Sequence, residues 1–294
     1  MAHYPVLLNE VLEYLSIDAS GLYVDCTLGE SHYAEAILAR LDTGRLIAID
    51  RDRDAIESAR GRLSEWGDRV SFHHASYGDI ETVVGAERPR GIVADLGLSR
   101  GQFETPERGF SFQQNGPLDM RMDQTQQLTA ATIVNHYDER EIADLIYGFG
   151  EERRSRRIAK AIVRGRPIRD TAHLAAIVAR AVPRTPRMKI HPATKTFQAL
   201  RIAVNNELEE LDRFLESAPP LLAPGGRLAV VSFHSLEDRR VKQAFRSWQA
   251  REVLEPLHKR VVRPTDQEIA ENPASRSAKL RAAERTLKSW LPLN

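Results

Sequence analysis

An α/β fold of the Rossmann-like kind, one mostly parallel sheet covered by helices, follows from three features of the sequence. Short β-branched strands alternate with helical stretches from Leu22 onward, several strands close on an aspartate, and the alternation stops near Phe110 and returns after Ile190. In order, "LYVDC" reads as a buried strand and residues 33–41 as a helix. "GRLIAID" is the next strand, "RDAIESARGRLSEW" a helix, and "RVSFHHA" and "GIVADLG" two more strands. The opening "MAHYPVLLNEVLEYL" patterns as an amphipathic helix. Between residues 110 and 190 there is no convincing strand, only helical segments at 140–147, 152–163 and 171–181 bounded by Gly and Pro. These predict an inserted helical domain at 110–190, dividing a core formed by 1–109 and 191–294. Beyond it, Val204, Leu208, Leu211 and Leu215 share one stripe of a long helix, and "GGRLAVVSFH" is a strand fed by a Pro-Gly-Gly turn. From about Glu252 the tail is polar and basic with little periodicity.

Composition narrows the function. The 42 Lys and Arg residues nearly cancel the 41 Asp and Glu, so a nucleic-acid partner has to be met by local basic patches. Cys26 is the lone cysteine, which excludes an internal disulfide framework and a Cys-based zinc site and fits a reducing, cytoplasmic location; no metal site is expected. No run approaches the roughly 20 apolar residues of a membrane span, so no membrane partner is expected.

Ligands of such sheets sit at the carboxyl ends of the strands. Asp50 closes "LIAID" about twenty-five residues after Asp25, where a carboxylate takes the ribose hydroxyls of a nucleoside; capping the next helix is the competing role. Asp95 ends "GIVADLG" ahead of a Gly-containing loop, either as a reacting-centre carboxylate or as a turn former before Gly97. Tyr77 either borders an adenine or is plain core. The turn "DCTLGESHY" lacks the G-x-G-x-x-G spacing that admits a pyrophosphate, and its acids Asp25 and Glu30 suit a cation. S-adenosylmethionine, with a sulfonium in place of phosphates, fits that turn better than a nicotinamide dinucleotide.

The motifs "HYPVLLNEVL", "DCTLGE", "AIDRD", "DLGLS", "RGFSFQQNGPLDMRMD", "YGFGEERRSRRIAKAI", "HPATKTFQALRIAVNNEL", "GGRLAVVSFHSLEDRRVK" and "NPASRSAKLR" occur in that order. Through them nearly the whole chain resembles the ribosomal RNA small-subunit methyltransferase H family. The resemblance implies S-adenosylmethionine-dependent methylation of N4 of a decoding-centre cytidine in 16S ribosomal RNA. It places cofactor contacts at Ser31, His32, Tyr33, Asp50, Tyr77, Asp95 and Gln102. The chain departs from the family at its usual Gly-Gly-His, here Ser31, His32 and Tyr33, and at Arg100 and Ala274, where the family commonly has Ser and Arg. His32 brings a Cβ and a ring to where the backbone should meet the ligand, so glycine at His32 is expected to hold or tighten binding.

Transfer to an exocyclic amine calls for an acceptor beside the amino group, and Asp95 is the candidate catalytic residue. His234, at the end of "LAVVSFH", is the second; Ser235 beside it either faces the same edge or caps the helix that follows. For RNA, the stretch "EERRSRRIAKAIVRGR" offers Arg153, Arg154, Arg156, Arg157, Lys160, Arg164 and Arg166, with Glu152 able to pair with Arg156 as the competing solvated-face reading. The tail adds Lys259, Arg260, Arg263, Arg276, Lys279 and Arg281. Phe110, Phe112 and Phe197 are candidate base platforms or core residues. The expected partner is small-subunit ribosomal RNA or the assembled small subunit, with the oligomeric state open. Two alternatives stand beside this reading: an RNA-binding assembly factor with weak or no cofactor binding, and another nucleotide-dependent enzyme on the same fold.

Overall fold

The computed structural model describes residues 5–184, 188 and 190–288. They form two units, one from 1–97 with 208–294 and one from 98–207.

The first unit is built on seven strands: β1 (Leu22–Asp25), β2 (Arg45–Asp50), β3 (Val70–His74), β4 (Gly91–Asp95), β5 (Arg227–Ser232), β6 (Leu254–Pro256) and β7 (Lys279–Arg285). Their order is β3-β2-β1-β4-β5-β7-β6. The first five run parallel, and β7 lies antiparallel to both β5 and β6. Because side chains alternate across a strand, the sheet has two dry faces. Tyr23, Ala48, Val93, Ala229 and Val231 enter one core with the helices Leu8–Leu15 and His32–Leu38. Val24, Ile47, Ile49, Ile92 and Val230 enter the other with Phe214, Leu215, Phe245 and Trp248.

Two expectations are corrected here. The long helix carrying Val204 and Leu208 on one stripe is two helices, Thr194–Asn205 and Glu207–Leu221, because Asn206 takes a left-handed conformation (φ 52°) that ends the first. The tail is also more ordered than its composition suggested. In β7 the residues Leu280, Ala282 and Ala283 are buried while Lys279 and Arg281 bond to Asp238 at 3.1 and 2.8 Å. Their charge made a strand look like solvated tail, and it removes both side chains from the candidate RNA contacts.

The second unit packs the helices Ala130–His136, Glu139–Gly150, Ser155–Arg164, Thr171–Ala181 and Thr194–Asn205 around Ile133, Ile142, Ile146, Ile158, Ile162, Leu174, Val178, Phe197 and Leu200. It spans 98–207, wider than the 110–190 read from the sequence. The difference comes from the helix Thr194–Asn205, whose Phe197, Leu200 and Val204 belong to this core, and from the short helix Arg100–Glu104. Local capping sets several starts. Asp138 accepts from the Glu141 amide at 2.8 Å while Glu141 accepts from the Asp138 amide at 2.9 Å, and Asp170 accepts from the His173 amide at 2.8 Å. Among the described residues no helix is long and apolar enough to cross a membrane.

Candidate active site

Three neighbouring parallel strands end in aspartate: Asp25 on β1, Asp50 on β2 and Asp95 on β4. The register puts Asp25 opposite Ala48 on one side and Val93 on the other. Asp50 and Asp95 each lie two residues further along, so all three carboxylates share one face at the carboxyl edge of the sheet.

The turn after β1 is held from within. The Thr27 amide donates to Asp25 Oδ1 at 3.2 Å, Thr27 Oγ1 accepts from the Asp95 amide at 2.6 Å, and the Leu28 amide donates to the Ile49 carbonyl at 3.1 Å. The Gly29 amide (φ 48°) and the Asp52 amide donate to the two oxygens of Asp50, both at 2.8 Å. Asp52, rather than Asp50, caps the next helix, accepting from the Asp54 amide at 3.1 Å. Asp50 is thus freed from the capping role and presents a half-buried, oriented carboxylate.

The residue that carries the strained conformation in the turn is Ser31, at φ 64°; His32 is the first residue of the helix His32–Leu38 and has no positive φ. The position that wants glycine is therefore one residue earlier than the sequence suggested. An L-residue in the left-handed region costs roughly 1 kcal/mol. Ser31→Gly is expected to raise unfolding free energy by about that amount in a urea titration, and His32→Gly to give no such gain because glycine weakens a helix. A Ser31→Gly protein no more stable than the parent would refute this.

The remaining candidates are dispersed. Tyr33 is buried with its hydroxyl donating to the Val6 carbonyl, so its side chain belongs to the core. Tyr77 is half-buried, edge-on to Phe214 at 5.6 Å. Gln102 lies in the second unit, in a capping box in which its amide donates to Ser99 Oγ at 3.2 Å and its Oε1 accepts from the Ser99 amide at 3.1 Å. His234, not Ser235, caps the helix Ser235–Ala250: its Nδ1 accepts from the Glu237 amide at 3.3 Å, which places the ring proton on Nε2, 3.1 Å from Glu237 Oε1. Glu237 in turn accepts from the Phe233 and His234 amides at 2.8 and 3.1 Å.

Electrostatically the edge is overloaded with acid. Burial pushes Asp25 up to about 7, opposed by the backbone amides of Thr27 and Ala34 and reinforced by the charge of Asp50. Burial raises Asp50 to about 6 despite the amides of Asp52 and Gly29. Burial also holds Asp95 well above the usual carboxylate range, with Asp25 and Glu237 adding to it. Asp25 Oδ2 and Asp95 Oδ1 are both buried without a hydrogen-bond partner among the described residues. Two such oxygens on adjacent strands call for a cationic or N–H-donating ligand. Asp25 entered the sequence reading only as an acid near the turn; its placement at a strand end, like Asp50 and Asp95, was the signal that ranks it with them.

In the second unit the helix Ser155–Arg164 buries Ser155, Ile158, Ala159 and Ile162 and exposes Arg156, Arg157, Lys160 and Arg164, with Arg153 exposed just before it. None of these five has an ion pair among the described residues. Glu152 pairs with Arg154 at 3.2 Å instead of Arg156. Arg166 is withdrawn from the surface set, since its Nε donates to the Val134 carbonyl at 2.8 Å and it also bonds the Tyr137 carbonyl. Phe110 and Phe197 are core; Phe112 is half-buried and packs on Phe197 and His191 at 4.9 and 4.8 Å.

A Rossmann-like sheet with an acidic, cation-seeking carboxyl edge fits a methyltransferase that uses S-adenosylmethionine. A profile of the MraW methylase family matches residues 1–286, and the chain belongs to that family. It is 53% identical to a protein of Solibacter usitatus named ribosomal RNA small subunit methyltransferase H, covering 96% of this chain and 99% of that one. It is 50% identical to the protein of that name from Synechococcus elongatus, over 97% and 95% of the two chains. A crystal structure of a putative rRNA-methylase from Clostridium thermocellum shares the fold at 12% identity, with a TM-score of 0.51 over 97% of this chain and 100% of that one.

Proposed function

We propose that this protein methylates N4 of a cytidine in the decoding centre of small-subunit ribosomal RNA, in the cytoplasm, with the free RNA or the assembled subunit as substrate. The observation that carries the donor half of this reading is the pair of buried, unpartnered oxygens on Asp25 and Asp95. S-adenosylmethionine supplies an electrophilic methyl group on a sulfonium. The chain's own residues bind and orient. Asp50, held by two amides, offers its remaining lone pairs to the ribose hydroxyls. Asp25 and Asp95 offer oxygens to positive charge and to the N–H of the accepting amine. The exposed cations from Arg153 to Arg164 give the helical unit a phosphate-binding face. The choice of small-subunit ribosomal RNA is supported by the name of the relatives, and the choice of base and of site by the motif resemblance alone.

Asp50→Ala is expected to weaken S-adenosylmethionine binding by about 1 to 3 kcal/mol through loss of charge-assisted hydrogen bonds. Calorimetry showing unchanged affinity would remove Asp50 from the site. The substrate is tested by mass spectrometry of nucleosides from ribosomal RNA of cells with and without the protein. An N4-methylated cytidine lost on deletion and restored by the wild-type chain supports the assignment; a signal unaffected by deletion refutes it.

A further inference from the structure

The carboxyl edge of the core sheet carries more acid than the protein itself neutralises. Asp25 and Asp95 project from adjacent strands to the same face, and no lysine or arginine among the described residues pairs with either. The groups that surround them are acidic or neutral. Asp50 faces Asp25 from β2, and Glu237 faces Asp95 from the helix after β5. Tyr33 on the helix His32–Leu38 and Cys26 on the turn are both held neutral by burial, and Glu10 and Glu268 bear on Tyr33 from beyond. His234 accepts from the Glu237 amide at Nδ1, its Nε2 lies 3.1 Å from Glu237 Oε1 without hydrogen-bonding to it, and the influence of Arg51 falls on Asp50. Like charges facing one another at a buried edge oppose joint ionisation, so the pair favours holding protons when nothing cationic is bound.

We infer that Asp25 and Asp95 distinguish the methyl donor from its spent product by charge, releasing a proton to solvent when S-adenosylmethionine binds and less of one for S-adenosylhomocysteine. The donor brings a sulfonium, an ammonium and a carboxylate and is net positive; the product keeps the ammonium and carboxylate, has lost the sulfonium and is net neutral. The inference rests on the reading that the donor occupies this edge. It also supplies the acceptor on demand, since the donor's arrival ionises the carboxylate that the amine needs.

Asp25 is raised to about 7, so below that pH the free site is protonated and the donor must displace the proton. Donor affinity climbs with pH, by up to about tenfold per unit for one linked proton, and levels off once the free carboxyl is ionised. Product affinity climbs less, so the preference for donor over product widens as pH rises through neutrality.

The test is titration calorimetry of the full chain with each ligand in phosphate and in Tris, whose ionisation heats differ, at several pH values around 7. Expected are a buffer-dependent heat reporting proton release with the donor, a smaller one with the product, and a donor-to-product affinity ratio that grows with pH. In Asp25→Asn the release and the growth of the ratio should both shrink while the donor still binds. Equal proton release for the two ligands, none for either, or full release retained in Asp25→Asn would each overturn the inference; if that variant fails to fold, the wild-type comparison of the two ligands decides alone. Asp50→Ala separates the underlying assumption: donor affinity unchanged in it means the donor binds elsewhere, and the inference falls with the site.

Discussion

Asp95→Ala is expected to lower methyl transfer roughly tenfold to ten-thousandfold with the fold intact. Its amide, which donates to Thr27 Oγ1, survives the substitution, whereas Oδ1 is buried and bonded to nothing among the described residues. Removing such a carboxylate takes away a desolvation cost, so the variant should melt at the same temperature as the parent or above it. Single-turnover transfer from labelled donor, read beside a thermal melt, checks both halves. Full turnover in the variant would rule Asp95 out of the chemistry, and a collapse of stability would mean that the side chain holds the loop rather than the substrate.

Reversing Arg153, Arg156 and Arg157 to glutamate together is expected to weaken RNA binding by roughly a hundredfold to a thousandfold near physiological salt while leaving the donor affinity alone. All three are exposed, Arg153 just before and Arg156 and Arg157 on a helix whose other side is sealed by Ile158 and Ile162. Each phosphate that is no longer neutralised takes about 0.7 to 0.9 from the slope of log affinity against log salt. The variant's slope should therefore flatten by about 2 to 3. A parallel loss at every salt concentration, with the slope preserved, would place the RNA on another surface.

Much of the architecture was legible beforehand, for reasons that differ by element. The strands β1, β2, β4 and β5 are continuous apolar runs closed by turn residues, and runs of that kind have few alternatives in a buried parallel sheet. The terminal aspartates of β1, β2 and β4 marked the edge of the candidate site. What sequence concealed was conformation and partnership. The φ of Ser31 is fixed by the Leu28 carbonyl, which accepts from the Ser31 amide at 2.6 Å, and no residue type announces that geometry. His234 took the cap that Ser235 also offered because both residues can accept a hydrogen bond, and only the chain's exit direction from β5 chooses between them. Lys279 and Arg281 read as RNA contacts until their partner Asp238, some forty residues earlier, was brought beside them by the antiparallel pairing of β7.

That pairing has a consequence for the order in which the protein can be completed during synthesis. When β5 leaves the ribosome, its outer row of amides and carbonyls has no neighbour, because β7, which will cover it, is made only after the helix Ser235–Ala250 and β6. The strand left waiting is the apolar run "RLAVVS", with Leu228 to Ser232 destined for full burial. A bare apolar edge of this kind is a template for pairing with other chains. The interval between β5 and β7 is therefore one vulnerable moment of this fold's biosynthesis, beside the longer wait of β4 for β5.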